Sequence, residues 1–471
     1  METERYYLDL FKVTRAQMEK TTVTALSHGG DFCDLYFEHT TFFNLLLKDG
    51  VVSSGGFHTD YGVGIRVLKG EKTGYAYSEN TEMTDMLKAA QAASAIALGT
   101  TGNRTYAPVE NRRLDLYPME RNWRDFGADA FLPFLKDLEK EIFSRDSRIV
   151  KVVVRLSDSV TDIMMYNSLG ELTFDKRPMG SVSVSAIFEQ DGKTENKSAA
   201  RSFRMGAELA GPALVRELAD EVVKGIDARF DARRPKGGQM NVVMGAGASG
   251  ILLHEAMGHA FEADFNRKGQ SIFSDKMGQR ICPKGVNVVD DGTVAFNRGS
   301  GNYDDEGVAG EKTYMVTDGI LTSYLHDRIS ASWYGVRPTG NGRRENFRYN
   351  PIPRMRATYM ESGDADPQSI IADVTQGIYV DEFSNGQVKI GEGDFTFFVK
   401  SGYLIENGRL TMPVKDINII GNGPQALADI LAVGNDLKID NGTWTCGKEQ
   451  SVAVSCGMPT VLVRNLTVGG E

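Results

Sequence analysis

"GSVSVSAIFEQDGKTENKSAARSF", Gly180–Phe203, is the stretch on which the fold class turns. It reads as strands, with the period-two alternation that puts one set of side chains against a core and the other set outside. Upstream, "IVKVVVRLS" (Ile149–Ser157) and "IMMYNSLGELTFDKRP" (Ile163–Pro178) read the same way. On either side lie helical patterns, "GADAFLPFLKDLEKEIFS" (Gly127–Ser144) and a long one, "GAELAGPALVRELADEVVKGIDARF" (Gly206–Phe230). An earlier block has the same layout. It runs from a helix in "VTRAQMEKTTVTALSHGG" through strands in "DLYFEHTTFFNLLLKDGVV" and "YGVGIRVLKGEKTGYAYS" to an Ala-rich helix in "TEMTDMLKAAQAASAIALG". Strand runs bracketed by helices indicate an α+β fold with antiparallel sheets rather than a doubly wound parallel one.

At 471 residues the chain is too long for one compact core. Three units are expected: α+β subdomains over 1–110 and 111–229, and a C-terminal unit over 230–471, where the composition turns Gly-rich. In that last unit Asp291-Gly292, Asp318-Gly319 and Asn407-Gly408 read as hairpin turns. One helix is expected from Asp366-Pro367 to Gly377 and another through "PQALADILAVG". The unit is thus expected to be mostly β, wrapped around one helix that carries the chemistry.

That helix lies in "SGILLHEAMGHAFEADF", Ser249–Phe265. His254 and His259 are five residues apart, about 140° around a regular helix, which would splay them. Either a π-bulge absorbs the extra residue, or the helix ends near Gly258 and His259 swings in from the next turn. Two imidazoles invite a zinc ion, which typically takes three protein donors and keeps one position open. The third donor has several candidates: Glu262, Asp264, His326, Cys446 and Cys456. Spacing does not choose among them.

Composition narrows the function. A net charge of −10 weighs against a nucleic-acid surface. No stretch approaches the roughly 20 apolar residues of a membrane span. The first residues carry acids where a signal peptide would carry bases, and the four cysteines show no disulfide pattern, so a cytoplasmic protein is expected. "MGAGASG" lacks the Lys-Ser/Thr ending of a phosphate loop and reads as a turn feeding the histidine helix. Arg343, Arg344, Arg348 and Arg354 could meet a substrate carboxylate or a phosphate; an ion-pair network with Asp304, Asp305 and Glu306 is the favoured alternative.

Taken together, "HEAMGHAFEADF", "DDEG" (Asp304–Gly307), "YLHDR" (Tyr324–Arg328), "TGNGRRENFR" (Thr339–Arg348), "YLIENG" (Tyr403–Gly408), "IGNGP" (Ile420–Pro424), "TCGK" (Thr445–Lys448) and the closing "LTVGG" resemble the TldD branch of the TldD/PmbA zinc metalloprotease family. The resemblance spans essentially the whole chain. It implies that His254, His259 and Cys446 bind zinc, that Glu255 is the catalytic carboxylate, and that the five-residue histidine spacing is the family's own. Cys456 then reads as structural, and Glu262 as orienting a ligand histidine. The activity implied is zinc-dependent endoproteolysis of unfolded or flexible polypeptides, by the catalytic subunit of a two-subunit protease with a TldE/PmbA-like partner or by a homodimer. The alternative is a non-catalytic protein-binding modulator of DNA gyrase or of a toxin–antitoxin system, with structural zinc.

Overall fold

The computed structural model describes residues 3–109, 114–247, 249–389 and 391–470. The expected boundary between 110 and 111, and Ala248 of the Gly-rich turn, lie outside them. The fold is α+β.

Six long strands form one antiparallel sheet: β1 (Phe32–Lys48), β2 (Val51–Lys69), β3 (Lys72–Ser78), β4 (Ile149–Asn167), β5 (Leu172–Gln190) and β6 (Lys193–Phe203), in the order β3-β2-β1-β4-β5-β6. β1 and β4 pair from Asp34↔Asn167 to Lys48↔Val153, so the two blocks read from the sequence share one continuous sheet. Its faces differ because side chains alternate. Leu35, Phe37 and Ile65 pack under Phe11, Met18 and Met86 of helices α1 (Glu4–Phe11), α2 (Arg15–Ala25) and α3 (Met83–Ser94). Leu45, Val154 and Val184 pack under Leu135, Leu138 and Leu218 of α4 (Ala128–Arg145) and α5 (Pro212–Val223). The opposite face carries Tyr36, Glu38, Thr40, Ser159, Thr161 and Arg177 and looks into a cavity against the C-terminal region.

Helix ends follow local chemistry. Thr14 and Gln17 form a capping box at the start of α2, and Pro212 opens α5. The single long helix expected up to Phe230 is instead broken: Gly225 takes a left-handed φ of 72°, and a short α6 (Ile226–Asp231) follows.

Beyond it, strands Gln376–Val388, Gly238–Met244, Val461–Gly469, Ile417–Asn422 and Asp394–Glu406 pair in succession, and the last pairs with the first, so five strands close into a barrel. A second, six-stranded sheet lies beside it and includes Ala357–Met360 and Ser455–Met458. Asp318-Gly319 and Asn407-Gly408 make the two-residue turns expected, with φ of 49° and 77° in one and 50° and 74° in the other. Three expectations are corrected. The strand ending at Asp291 pairs not with the residues just after Gly292 but with Lys312–Thr317, so that turn signal opens a long loop. The helix at Pro367 ends at Ala372, and Gly377 belongs to a strand. In "PQALADILAVG" the helix covers only Gly423–Ala428, because Ile430–Val433 is taken up by the barrel strand Val461–Gly469. In each case pairing with a distant strand overrode a local signal.

The sheet and the C-terminal region are pinned by charge as well as by packing. Arg66 on β2 is fully buried, bound to Asp34 on β1 and, at 2.6 Å, to Glu306. Each carboxylate compensates a guanidinium that would otherwise be costly to bury.

Candidate metal centre

Helix α7 (Gly250–Ala256) supplies the first two residues. It lies against Ser455–Met458 because Gly250 has no side chain: a Cβ there would sit 2.5 Å from the backbone nitrogen of Gly457. Leu252, Leu253 and Ala256 are buried around it, and His254 is carried inward with them. The helix does not bulge. Met257 leaves helical geometry at φ −135°, ψ −39°, and Gly258–Phe261 forms a 3-10 turn that swings His259 back beside His254, with ring centroids 5.4 Å apart. Gly258 has no side chain to meet Met355, whose sulfur would lie 2.2 Å from a Cβ there.

Cys446 arrives from 187 residues away on a two-stranded hairpin, Thr445–Lys448 with Gln450–Ala453, and its Sγ lies 3.2 Å from His259 Nε2. One donor atom each from His254, His259 and Cys446 fits within 4.8 Å of the others, all three residues being buried. Glu255 stands beside them, its Oε2 4.0 Å from His259 Nε2 and its side chain 28% exposed, on the side open to solvent.

A further layer fixes this cluster. His259 Nδ1 donates to Glu262 Oε2 at 2.9 Å, which leaves Nε2 directed at the sulfur. Glu262 is fully buried, and Lys448 Nζ donates to it at 3.0 Å and to Asp264 at 2.8 Å. Burial would push the Glu262 carboxyl up, but the Lys448 ammonium and the His259 ring hold it down at about 2. Arg354 grips the cysteine hairpin, donating to the carbonyls of Cys446 at 2.6 Å and Gln450 at 2.7 Å. Lys448→Met should therefore take one of its cations from the buried Glu262, leaving it the His259 ring and Arg354 at 3.9 Å, and lower unfolding free energy by about 3 kcal/mol. A denaturation midpoint unchanged from the parent would contradict this role.

The donor set fits a zinc ion. Two imidazoles and one thiolate are zinc donors, and both ring nitrogens of His254 are buried with no hydrogen-bond partner among the described residues. Burial pushes the Cys446 thiol up, yet the imidazoles beside it outweigh burial and hold it down at about 5. For His259 burial acts downward, and Glu262 and Cys446 hold the ring up at about 10. The sulfur is thus poised as a thiolate, the form that binds metal.

The other candidates stand elsewhere. Asp264 is engaged by Lys448. His326 packs against Tyr334 and contacts Ser330, and burial holds its ring down at about 4. Cys456 lies within the strand Ser455–Met458, its thiol pushed up by burial. Of the arginines, Arg348 pairs with Asp60 and Glu79; the Arg344 guanidinium donates to the Asp305 carbonyl while its backbone N–H donates to the Asp305 carboxylate; Arg343 and Arg354 donate to backbone carbonyls, with Arg354 also 3.9 Å from Glu262. Lys448 and Arg354 were missed as positioning residues for the site. Lys448 stands in "TCGK" and Arg354 among the clustered arginines, but only tertiary proximity to Glu262 and the hairpin gives them their parts.

Comparison with known proteins places this architecture. Family models described as PmbA/TldA metallopeptidase domain 1, central domain and C-terminal domain match residues 33–97, 121–227 and 237–470. A Haemophilus influenzae protein named "Metalloprotease TldD homolog" is 37% identical over 458 residues, 94% of each chain. This chain belongs to the PmbA/TldD metallopeptidase family. A PmbA/TldD relative from Saccharolobus solfataricus, named "Zinc metalloprotease TldD homolog", is 29% identical over 333 residues, covering 70% of this chain and 69% of its own. The PmbA/TldD fold is also that of the solved structure of TldE from Thermococcus kodakarensis, with a TM-score of 0.76 at 16% identity, covering 96% of this chain and all of the other. Among the described residues no helix is long and apolar enough to cross a membrane.

Proposed function

We propose that this chain is a zinc-dependent endopeptidase for unfolded or flexible polypeptides, acting in the cytoplasm, with His254, His259 and Cys446 holding the metal and Glu255 as general base. The observation that carries this reading is the convergence of three buried zinc donors with one solvent-facing carboxylate on the open side. A zinc ion held there supplies positive charge that acidifies water and polarises a peptide carbonyl. Glu255 takes the proton of the attacking water and delivers it to the departing amine nitrogen. Glu262 keeps the His259 ring in one orientation, and Lys448 keeps Glu262 ionised. An extended substrate would be held through main-chain hydrogen bonds by strand addition, which favours unfolded chains over folded ones.

A two-subunit assembly is supported by an edge of the first sheet that carries no further strand among the described residues. β3 covers β2 only over Val63–Lys69, and upstream of it Val51 and Phe57 are 68% and 69% exposed. Such an edge invites another chain. The fold shared with TldE suggests a relative of that kind as the partner, with a second copy of this chain as the other choice. Digestion of an unfolded protein, with and without a chelator and with and without the partner, tests the reading. Chelator-sensitive cleavage that needs the partner is expected. Cleavage that survives full removal of metal, or equally strong cleavage by the isolated monomer, contradicts the metal or the assembly part in turn.

A further inference from the structure

A cavity of about 480 Å³ lies between the polar face of the first sheet and the hairpin that carries Cys446. Ser451, Val452 and Ala453 of that hairpin line it, and Val452 is the cross-strand partner of Cys446. The cavity thus adjoins the hairpin that carries Cys446. Its volume suits a small group rather than a whole folded partner.

The wall is unusual in charge. Arg204, Arg298 and Arg343 all line it, and among the described residues none of the three has a carboxylate within ion-pair distance. Arg343 donates to the carbonyls of Met355 and Ala453, the latter at 2.7 Å. Arg298 donates to the Trp444 carbonyl at 2.9 Å, to Ser202 at 2.7 Å and to Thr445 at 3.2 Å. Arg204 stacks over Tyr117 and donates only through Nε, to the Ser300 carbonyl at 2.5 Å. Its two terminal nitrogens have no acceptor among the described residues. Neutral carbonyls and hydroxyls satisfy their hydrogen bonds, and the nearby acids, Asp175 for Arg204 and Asp305 for Arg343, act on them only from beyond ion-pair distance.

The acids on the same wall are already engaged. Asp305 is bound by Arg177 at 2.6 Å, Asp60 by Arg348, and Glu345 accepts from the Ser451 amide. Glu38 accepts from Thr40 and from the Phe347 amide, and burial pushes its carboxyl up to about 7, so it is only partly ionised at neutral pH. Burial, together with mutual repulsion among the arginines, lowers the pKa of Arg204 and Arg298. An arriving anion would relieve that strain on charge.

We propose that this cavity is a carboxylate-binding subsite in which Arg204, Arg298 and Arg343 receive the C-terminal carboxylate of the polypeptide being cleaved. The guanidinium fork matches a carboxylate in geometry, and a polypeptide always carries one at its C-terminus. The subsite rests on the protease reading and extends it: cleavage is favoured near a free C-terminus, so the enzyme trims peptide fragments in preference to the middle of long chains.

The test uses three dye-labelled peptides of one sequence: a free acid, a C-terminal amide, and an amide with glutamate as its last residue. Binding is read by fluorescence anisotropy on the full-length Glu255→Gln protein, and cleavage on the native protein with its partner. The free acid should bind about tenfold more tightly than the plain amide, the worth of one charge-assisted contact. Arg298→Gln and, separately, Arg204→Gln should bring that ratio towards one, while Arg298→Lys keeps part of it. The peptide comparison needs no substitution, so a misfolded variant does not remove the test. Equal binding and equal cleavage of acid and amide overturn the subsite. Restoration of full affinity by the glutamate amide overturns its assignment to the chain terminus. Tighter binding of the acid with no cleavage of any peptide upholds the subsite and sinks the protease reading alone.

Discussion

Glu255→Gln is expected to keep zinc, fold and peptide binding while turnover on an unfolded polypeptide falls by about 10²- to 10⁴-fold. Three features of the site argue for a selective loss. Glu255 is not one of the three converging donors, so metal affinity does not depend on it. Its carboxylate is on the solvent side and 28% exposed, so the amide leaves no buried charge stranded. Glutamine is nearly isosteric, and the one function it lacks is to accept a proton. Zinc content by elemental analysis and single-substrate kinetics on the same preparation check the prediction together. Parental turnover in the zinc-loaded variant would mean that another group is the base. Loss of zinc along with activity would move Glu255 into the metal's own coordination.

Cys446→Ala should cost at least about 10-fold in zinc affinity, and more if the site cannot recruit a water in place of the sulfur. His254→Ala and His259→Ala should do the same, because each removes one of the three proposed donors. Cys456→Ala is the paired control: its thiol is buried in the strand Ser455–Met458 with its pKa raised. That substitution should leave zinc affinity unchanged. Competition against a coloured chelator reads all four. The reverse pattern, zinc retained in Cys446→Ala and lost in Cys456→Ala, would reassign the third donor.

Much of the architecture was legible because it follows from short-range pattern. Alternation along Ile149–Ser157 and Gly180–Phe203 marked strands, and Asp366-Pro367 marked a helix start. Helix ends were less legible. Gly225 ends one helix by backbone geometry, but Gly377 and Ile430 leave helical patterns because strands farther along the chain pair with them, and no local window contains those strands. The site divides in the same way. His254, Glu255 and His259 sit in a dozen residues and suggest chemistry by themselves, with two routes open for the extra residue; the 3-10 turn at Gly258 is the one taken. The convergence of Cys446 with them, and the parts of Lys448 and Arg354, depend on a hairpin brought from nearly two hundred residues away. Family resemblance singled out Cys446 where spacing had left five candidates.

The same separation of the donors sets a clock. Chains are synthesised at about 5–20 residues per second, so the 187 residues between His259 and Cys446 take roughly 10–40 s to make. During that interval the histidine pair is present without its sulfur. If the chain is the protease proposed above, its own growing chain is the first unfolded polypeptide it meets. On that reading, placing the proposed third donor 187 residues after the histidine pair delays the onset of cutting until the intervening chain has been synthesised.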